Sequence, residues 1–161
     1  MCDKNLKKLA KTLIENKLTI STAESCTGGL LVSRLTDVSG SSNFLMESHI
    51  TYANSAKNKY LEVSEEILNT KGAVSKECAQ AMAIGLLKLS NSDISLCTTG
   101  IAGPTGGTKE KPVGLIYISC HFNNKTIVEK HILPSFLPRK LMKYMFSEKA
   151  IELALKTITQ Q

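Results

Sequence analysis

Three separate segments of this 161-residue chain carry side chains suited to nucleophilic or anion-binding chemistry. The first is Thr22-Ala-Glu-Ser-Cys-Thr-Gly-Gly29. A hydroxyl on a tight strand-to-helix turn is held clear of the sheet, among backbone N–H groups able to stabilise an oxyanion. Ser25 is therefore a candidate nucleophile. The glycine frame of the hydrolase elbow is missing, because Ala23 and Thr27 stand at its glycine positions. A plainer use of Ser25 or Thr27 is as a helix cap. Cys26 is a competing nucleophile, since a thiol near a helix N-terminus can have a lowered pKa.

The second segment is Tyr52-Ala-Asn-Ser-Ala-Lys57. Lys57 falls one helical turn beyond Ala53, so a strand end and a lysine can face one cleft. Lysine acts as a general base only when burial or a nearby cation lowers its pKa from about 10.4 toward 7–8. A serine with such a lysine can replace the Ser-His-Asp arrangement. Tyr52 is placed to orient the pair or relay its proton, although no S-x-x-K signature occurs in the chain. The alternative for Lys57 is a solvated surface charge.

The third segment, residues 98–114, holds Gly100, Gly103, Gly106 and Gly107 among Thr99, Thr105, Thr108 and Lys109. Successive backbone N–H groups of such a loop can cradle an anion. It is not a Walker loop, because Thr108 precedes Lys109 and a strand follows, and no G-x-G-x-x-G is present. A flexible surface loop is the competing description.

Alternating helical and strand periodicities must position these segments. Leu6, Leu9, Ala10, Leu13 and Ile14 mark a first helix; residues 18–22 read as a strand and 28–36 as a second helix. A strand over 44–52 and a short helix over 54–61 follow. Ser64 caps a helix closed by Gly72, and Ser75 caps another with Ala79, Met82, Ala83, Leu86 and Leu87 on its face. Residues 94–98 read as a buried strand, and 113–122 and 126–133 as a hairpin about Asn123-Asn124-Lys125. A last helix runs from 137 or 138 to 159, with Leu141, Tyr144, Met145, Ile151, Leu155 and Ile158 inward. Strands alternating with helices imply an α/β sheet covered on both faces, which the hairpin makes mixed. Ligands of such sheets gather where loops leave strand ends, here residues 23–29 and 99–111.

Composition narrows the classes. Hydrophobic residues are 42% and charged ones 21%, so a disordered or collagen-like chain is excluded. The chain suits one domain over residues 1–161. No run approaches the roughly 20 apolar residues of a membrane span, and residues 1–4 open into a charged helical pattern, so a cytoplasmic protein is expected. Cys2, Cys26, Cys78, Cys97 and Cys120 are irregularly spaced and read as buried thiols. With His49, His121 and His131 they form no metal-ligand spacing, so no metal or other cofactor is expected. The net charge of +6 is concentrated after Lys125. A basic helix there can bind nucleic acid, but no zinc-finger or RNA-binding motif accompanies it. A solvated helix face, or a field that draws an anionic small substrate, fits better.

The sequence resembles the CinA C-terminal domain family, the nicotinamide-nucleotide amidohydrolases. The resemblance is carried by Ala23-Glu24-Ser25-Cys26-Thr27-Gly28-Gly29, Tyr52-x-Asn54-x-x-Lys57, Gly72-Ala73-Val74-Ser75, and Thr99-Gly100-Ile101-Ala102-Gly103-Pro104 with Lys111-Pro112-Val113-Gly114. These blocks keep the family's order across nearly the whole chain. The resemblance implies a three-layer α/β/α sandwich with a mixed, mostly parallel sheet, a homodimer and no metal. It implies deamidation of nicotinamide mononucleotide to nicotinic acid mononucleotide and ammonia, with Ser25 as nucleophile, Lys57 as base and Tyr52 beside them. The expected substrate contacts are N–H groups around Cys26 and Thr27, the close approach allowed by Gly28, the loop of Gly100, Ala102, Gly103 and Gly106 with Thr99, and Arg139 toward the phosphate. A non-catalytic nucleotide-binding or regulatory module is the alternative.

Overall fold

The computed structural model describes residues 4–160; Cys2 lies outside them. Helix α1 (Lys4–Glu15) buries Leu6, Leu9, Ala10 and Leu13. The Leu18 N–H still donates to the Leu13 carbonyl at 2.9 Å, so the chain cannot extend at 18 as the alternation predicts. Strand β1 starts two residues later, Ile20–Glu24, and is buried on both faces. Helix α2 covers Leu30–Thr36 and does not begin at Gly28. Gly28 and Gly29 have φ of +58° and +93°, left-handed values that only a turn before the helix accommodates.

Strand β2 (Leu45–Ile50) leads through Thr51-Tyr52 into α3 (Asn54–Leu61). Helix α4 (Glu65–Thr70) and helix α5 (Lys76–Ser90) are capped by Ser64 and Ser75, whose side chains accept from the Ile67 and Cys78 N–H groups. Strand β3 spans Ile94–Gly100; β4 (Leu115–Phe122) and β5 (Lys125–Ile132) form the expected hairpin. Its turn residues Asn123 and Asn124 have φ of +48° and +60°, the sign a type I′ turn requires. Helix α6 is Arg139–Thr159. Its buried stripe includes Met142, Phe146, Ala150, Leu153 and Ala154, whereas Leu141, expected inward, is 42% exposed. Met142, Phe146, Ala150 and Ala154, spaced by four, form a continuous buried row, and Leu141 falls on its flank toward solvent.

The sheet order is β2-β1-β3-β4-β5, with β4 alone running against the rest. Helices α1, α2 and α6 cover one face over Ile20, Leu96, Ile116 and Ile118; α3, α4 and α5 cover the other over Ala23 and Cys97. The second face is floored by small residues. Ser95 and Ser119 donate to the Ala83 and Ala79 carbonyls of α5 at 2.6 and 2.5 Å, which draws α5 close to the sheet. The expected three-layer α/β/α sandwich is therefore observed. No helix among the described residues is long and apolar enough to cross a membrane.

Candidate active site

Parallel register gathers the chemistry. Glu24 at the end of β1 pairs with Ile50 of β2 and with Thr98 of β3. Three parallel neighbours thus end on one edge, and the loops beginning at Ser25, Thr51 and Ile101 converge there. Ser25 lies at the centre, its N–H donating to the Thr98 carbonyl at 3.0 Å.

Lys57 is 1% exposed. Its Nζ sits 3.0 Å from Ser25 Oγ and donates to the carbonyls of Thr51 (2.8 Å) and Tyr52 (3.1 Å). No carboxylate among the described residues pairs with it. Burial pushes its pKa below the ordinary lysine value, with the nearby Cys78 and Cys26 opposing. A neutral amine has two N–H donors and one lone pair, which match two carbonyls and one hydroxyl hydrogen. In that state Ser25 donates to Lys57, the arrangement a general base needs.

The turn after Ser25 can be accounted for amide by amide. Gly28 donates to the Ser25 carbonyl and Leu30 to that of Thr27. Gly29 and Leu31 donate to Glu24 Oε2, both at 3.0 Å, and Val32 donates to Oε1 at 2.8 Å. The N–H groups of Cys26 and Thr27 are left with no carbonyl or carboxylate acceptor among the described residues. Of these two residues Cys26 lines the cavity beside Ser25, so its amide is the one an oxyanion there can use, whereas Thr27 is fully buried off that wall. The cap of α2 is therefore the Glu24 carboxylate, not Ser25 or Thr27. The Thr27 hydroxyl instead pairs with Thr98 Oγ1 at 2.8 Å and fixes the turn on β3. The Cys26 thiol is buried and pushed up to about 12, opposite to the lowering that would make it a nucleophile.

Ser25 and Lys57 open into a cavity of about 290 Å³, near the lower end of the roughly 300–1,000 Å³ usual for small-molecule sites. Cys26, Tyr52, Thr99, Gly100, Ala102, Gly103, Gly106 and Arg139 also line it. Thr27 and Gly28 stay off the wall, as do Gly107, Thr108 and Lys109 of the glycine-rich loop; Gly28 instead faces Lys143 of α6. Tyr52 supplies its carbonyl to Lys57, while its hydroxyl accepts from Arg139 Nη2 at 3.1 Å. Arg139 Nη1 donates to the Gly103 carbonyl, and no carboxylate among the described residues neutralises this cation at the rim. The Thr99 hydroxyl donates to the Ala73 carbonyl at 2.7 Å, which holds the 72–75 segment as a wall of the cavity.

Sequence reasoning missed Glu24 as a cap and Asn54, Ala73 and Val74 as lining. A carboxylate inside an otherwise uncharged strand, just before a turn, was the available signal for Glu24. Among the described residues, no cluster of His, Cys, Asp or Glu is arranged to hold a metal ion.

A mixed-sheet α/β/α sandwich with a buried serine–lysine pair beside a glycine-rich loop is the class these features define. The chain belongs to the CinA C-terminal domain family, whose model matches residues 3–158. It is 53% identical over 122 residues to a putative competence-damage inducible protein of Clostridium beijerinckii, covering 76% of this chain and 30% of that protein. It is also 53% identical over 116 residues to a CinA-like protein of Geotalea uraniireducens, covering 72% of this chain and 28% of that one. The chain thus spans less than a third of the length of these relatives. Among solved structures it is similar to the competence/damage inducible protein CihA of Agrobacterium tumefaciens, with TM-score 0.93 and 35% identity over 98% of this chain and 95% of that one. A CinA superfamily protein of Klebsiella pneumoniae gives TM-score 0.93 and 26% identity, covering 99% and 98% of the two chains.

Proposed function

We propose that this domain is a serine amidohydrolase that deamidates nicotinamide mononucleotide. The observation that carries the reaction type is the buried Lys57 amine, 3.0 Å from Ser25 Oγ and held by two carbonyls rather than a carboxylate. A structural lysine buried at this depth would gain more from an acid partner; a base gains from having none. The choice of substrate rests on the family resemblance, with an unneutralised Arg139 at the cavity rim suited to a phosphate.

The neutral Lys57 amine takes the Ser25 proton as Oγ bonds to the carboxamide carbon. The carbonyl electrons move onto oxygen, which accepts from the Cys26 N–H group. The Lys57 ammonium passes its proton to the amide nitrogen, the C–N bond breaks, and ammonia leaves an ester on Ser25. Water then gives a proton to Lys57, attacks the ester carbon, and releases the carboxylate as the proton returns to Ser25. A homodimer, which rests on the resemblance, and a cytoplasmic setting, which rests on the sequence pattern, belong to the same proposal.

Incubation with nicotinamide mononucleotide should release ammonia and nicotinic acid mononucleotide in equal amounts, and free nicotinamide should react far more slowly. Nucleotide binding without ammonia release would instead favour a non-catalytic regulatory module.

A further inference from the structure

Glu24 is fully buried and directly precedes Ser25. Its two ends reach opposite sides of the reacting pair. The carboxylate takes the Gly29, Leu31 and Val32 N–H groups, which ties the Ser25 turn to α2. The backbone carbonyl accepts from the Thr51 N–H at 2.9 Å, and the Thr51 carbonyl in turn accepts from Lys57 Nζ. One residue therefore bridges the nucleophile's turn to the peptide that aims the base. It occupies the amides of Gly29 and of the first turn of α2, and leaves the Cys26 N–H, on the cavity wall, without a carboxylate acceptor.

We propose that Glu24 is a positioning residue for the Ser25–Lys57 pair, setting both the direction of the serine hydroxyl and the Cys26 amide beside it. The proposal rests on the reading of Ser25 as a nucleophile and does not depend on which amide is the substrate. A carboxylate is required because two oxygens must accept from three N–H groups. Glutamine at this position turns one oxygen into an NH2 group, which confronts at least one amide donor in either orientation. That conflict rotates the turn on which Ser25 sits. Aspartate keeps the charge but cannot reach all three amides.

The test uses phenylmethylsulfonyl fluoride, which reports the nucleophile without a natural substrate. Ser25 Oγ bonds to sulfur, fluoride leaves with the S–F electrons, and the serine proton goes to Lys57. Labelling of the full chain is followed by intact mass well below the melting temperature, in wild type, Glu24→Gln, Glu24→Asp and Ser95→Ala. Ser95→Ala removes a buried hydrogen bond to α5 remote from the pair and calibrates a purely structural loss. Labelling of Glu24→Gln should fall at least tenfold and of Glu24→Asp by less, while Ser95→Ala keeps the wild-type rate at a comparable loss of melting temperature. With nicotinamide mononucleotide, Glu24→Gln should lower kcat and leave KM within twofold. Labelling of Glu24→Gln within twofold of wild type overturns the proposal; if that variant does not fold, the same outcome in Glu24→Asp overturns it. Wild type that labels at Ser25 but releases no ammonia overturns the substrate reading alone, and the labelling series still decides the role of Glu24. Wild type that does not label overturns both.

Discussion

The Leu61 carbonyl at the end of α3 rests against Gly85 of α5, in the space a β-carbon would occupy. Helix α3 has only Lys57 and Leu61 as buried side chains, so this backbone contact and the Leu61 side chain seat the helix that delivers the base. A glycine in the middle of a helix costs about 1 kcal/mol relative to alanine. Here it permits the close approach that seats α3, the helix carrying Lys57, against α5.

Gly85→Ala should therefore reverse its usual stabilising sign. The added methyl overlaps the Leu61 carbonyl oxygen, and overpacking of this kind costs roughly 1–3 kcal/mol. Since α3 must shift as a body, kcat should fall with little change in KM. Thermal melts and ammonia-release kinetics on the purified variant check both parts; an unchanged kcat would separate α3 placement from catalysis.

Ser25→Ala and Lys57→Ala should each reduce turnover by about 10³-fold or more while nucleotide affinity stays within a few fold. Lys57→Arg should be equally inactive, because a guanidinium does not give up its proton near neutral pH. Calorimetric binding alongside ammonia assays distinguishes lost chemistry from lost binding.

Activity should rise with pH along one limb, because only neutral Lys57 accepts the serine proton and its burial lowers its pKa. The midpoint of that limb should lie below the ordinary 10.5 and disappear in Lys57→Met. Stability follows the same linkage. Between the lowered folded pKa and 10.5 the unfolded chain binds more protons than the folded one, so folding gains as pH rises through this window. Chemical denaturation of wild type and Lys57→Met across alkaline pH should show wild type gaining relative to the variant, whose difference flattens above the window.

Arg139→Ala should raise KM for the mononucleotide about tenfold, equivalent to about 1.4 kcal/mol, with a smaller effect on kcat. Tyr52→Phe removes the hydroxyl that accepts from Arg139 but keeps the carbonyl that holds Lys57, so it should act mainly through KM. A large fall in kcat in Tyr52→Phe would instead place the tyrosine in proton transfer. Steady-state kinetics over a range of nucleotide concentrations measures both.

Local patterns were legible where one element settled them. The capping serines Ser64 and Ser75, the Asn123-Asn124 turn and the Leu6, Leu9, Ala10 and Leu13 stripe of α1 each depend on neighbours within a turn or two, and the structure repeats them, although Ile14, expected on the same stripe, is exposed. Departures appear where partners lie far away in sequence. The start of β1 is held back by the Leu13 carbonyl that ends α1, and the face of α6 by the helices and sheet it packs on.

The chain's residue types and order determined an α/β architecture with Ser25, Lys57 and a glycine-rich loop on connections that leave strand ends. Tertiary structure alone decided their states. Ser25 and Lys57 meet across 32 positions because β1 and β2 are parallel neighbours. Burial in that junction disfavours the ammonium, raises the Cys26 thiol and gives Glu24 three amide donors. Solvent exclusion and hydrogen-bond supply at one point are properties of everything packed around it, and no single segment encodes them.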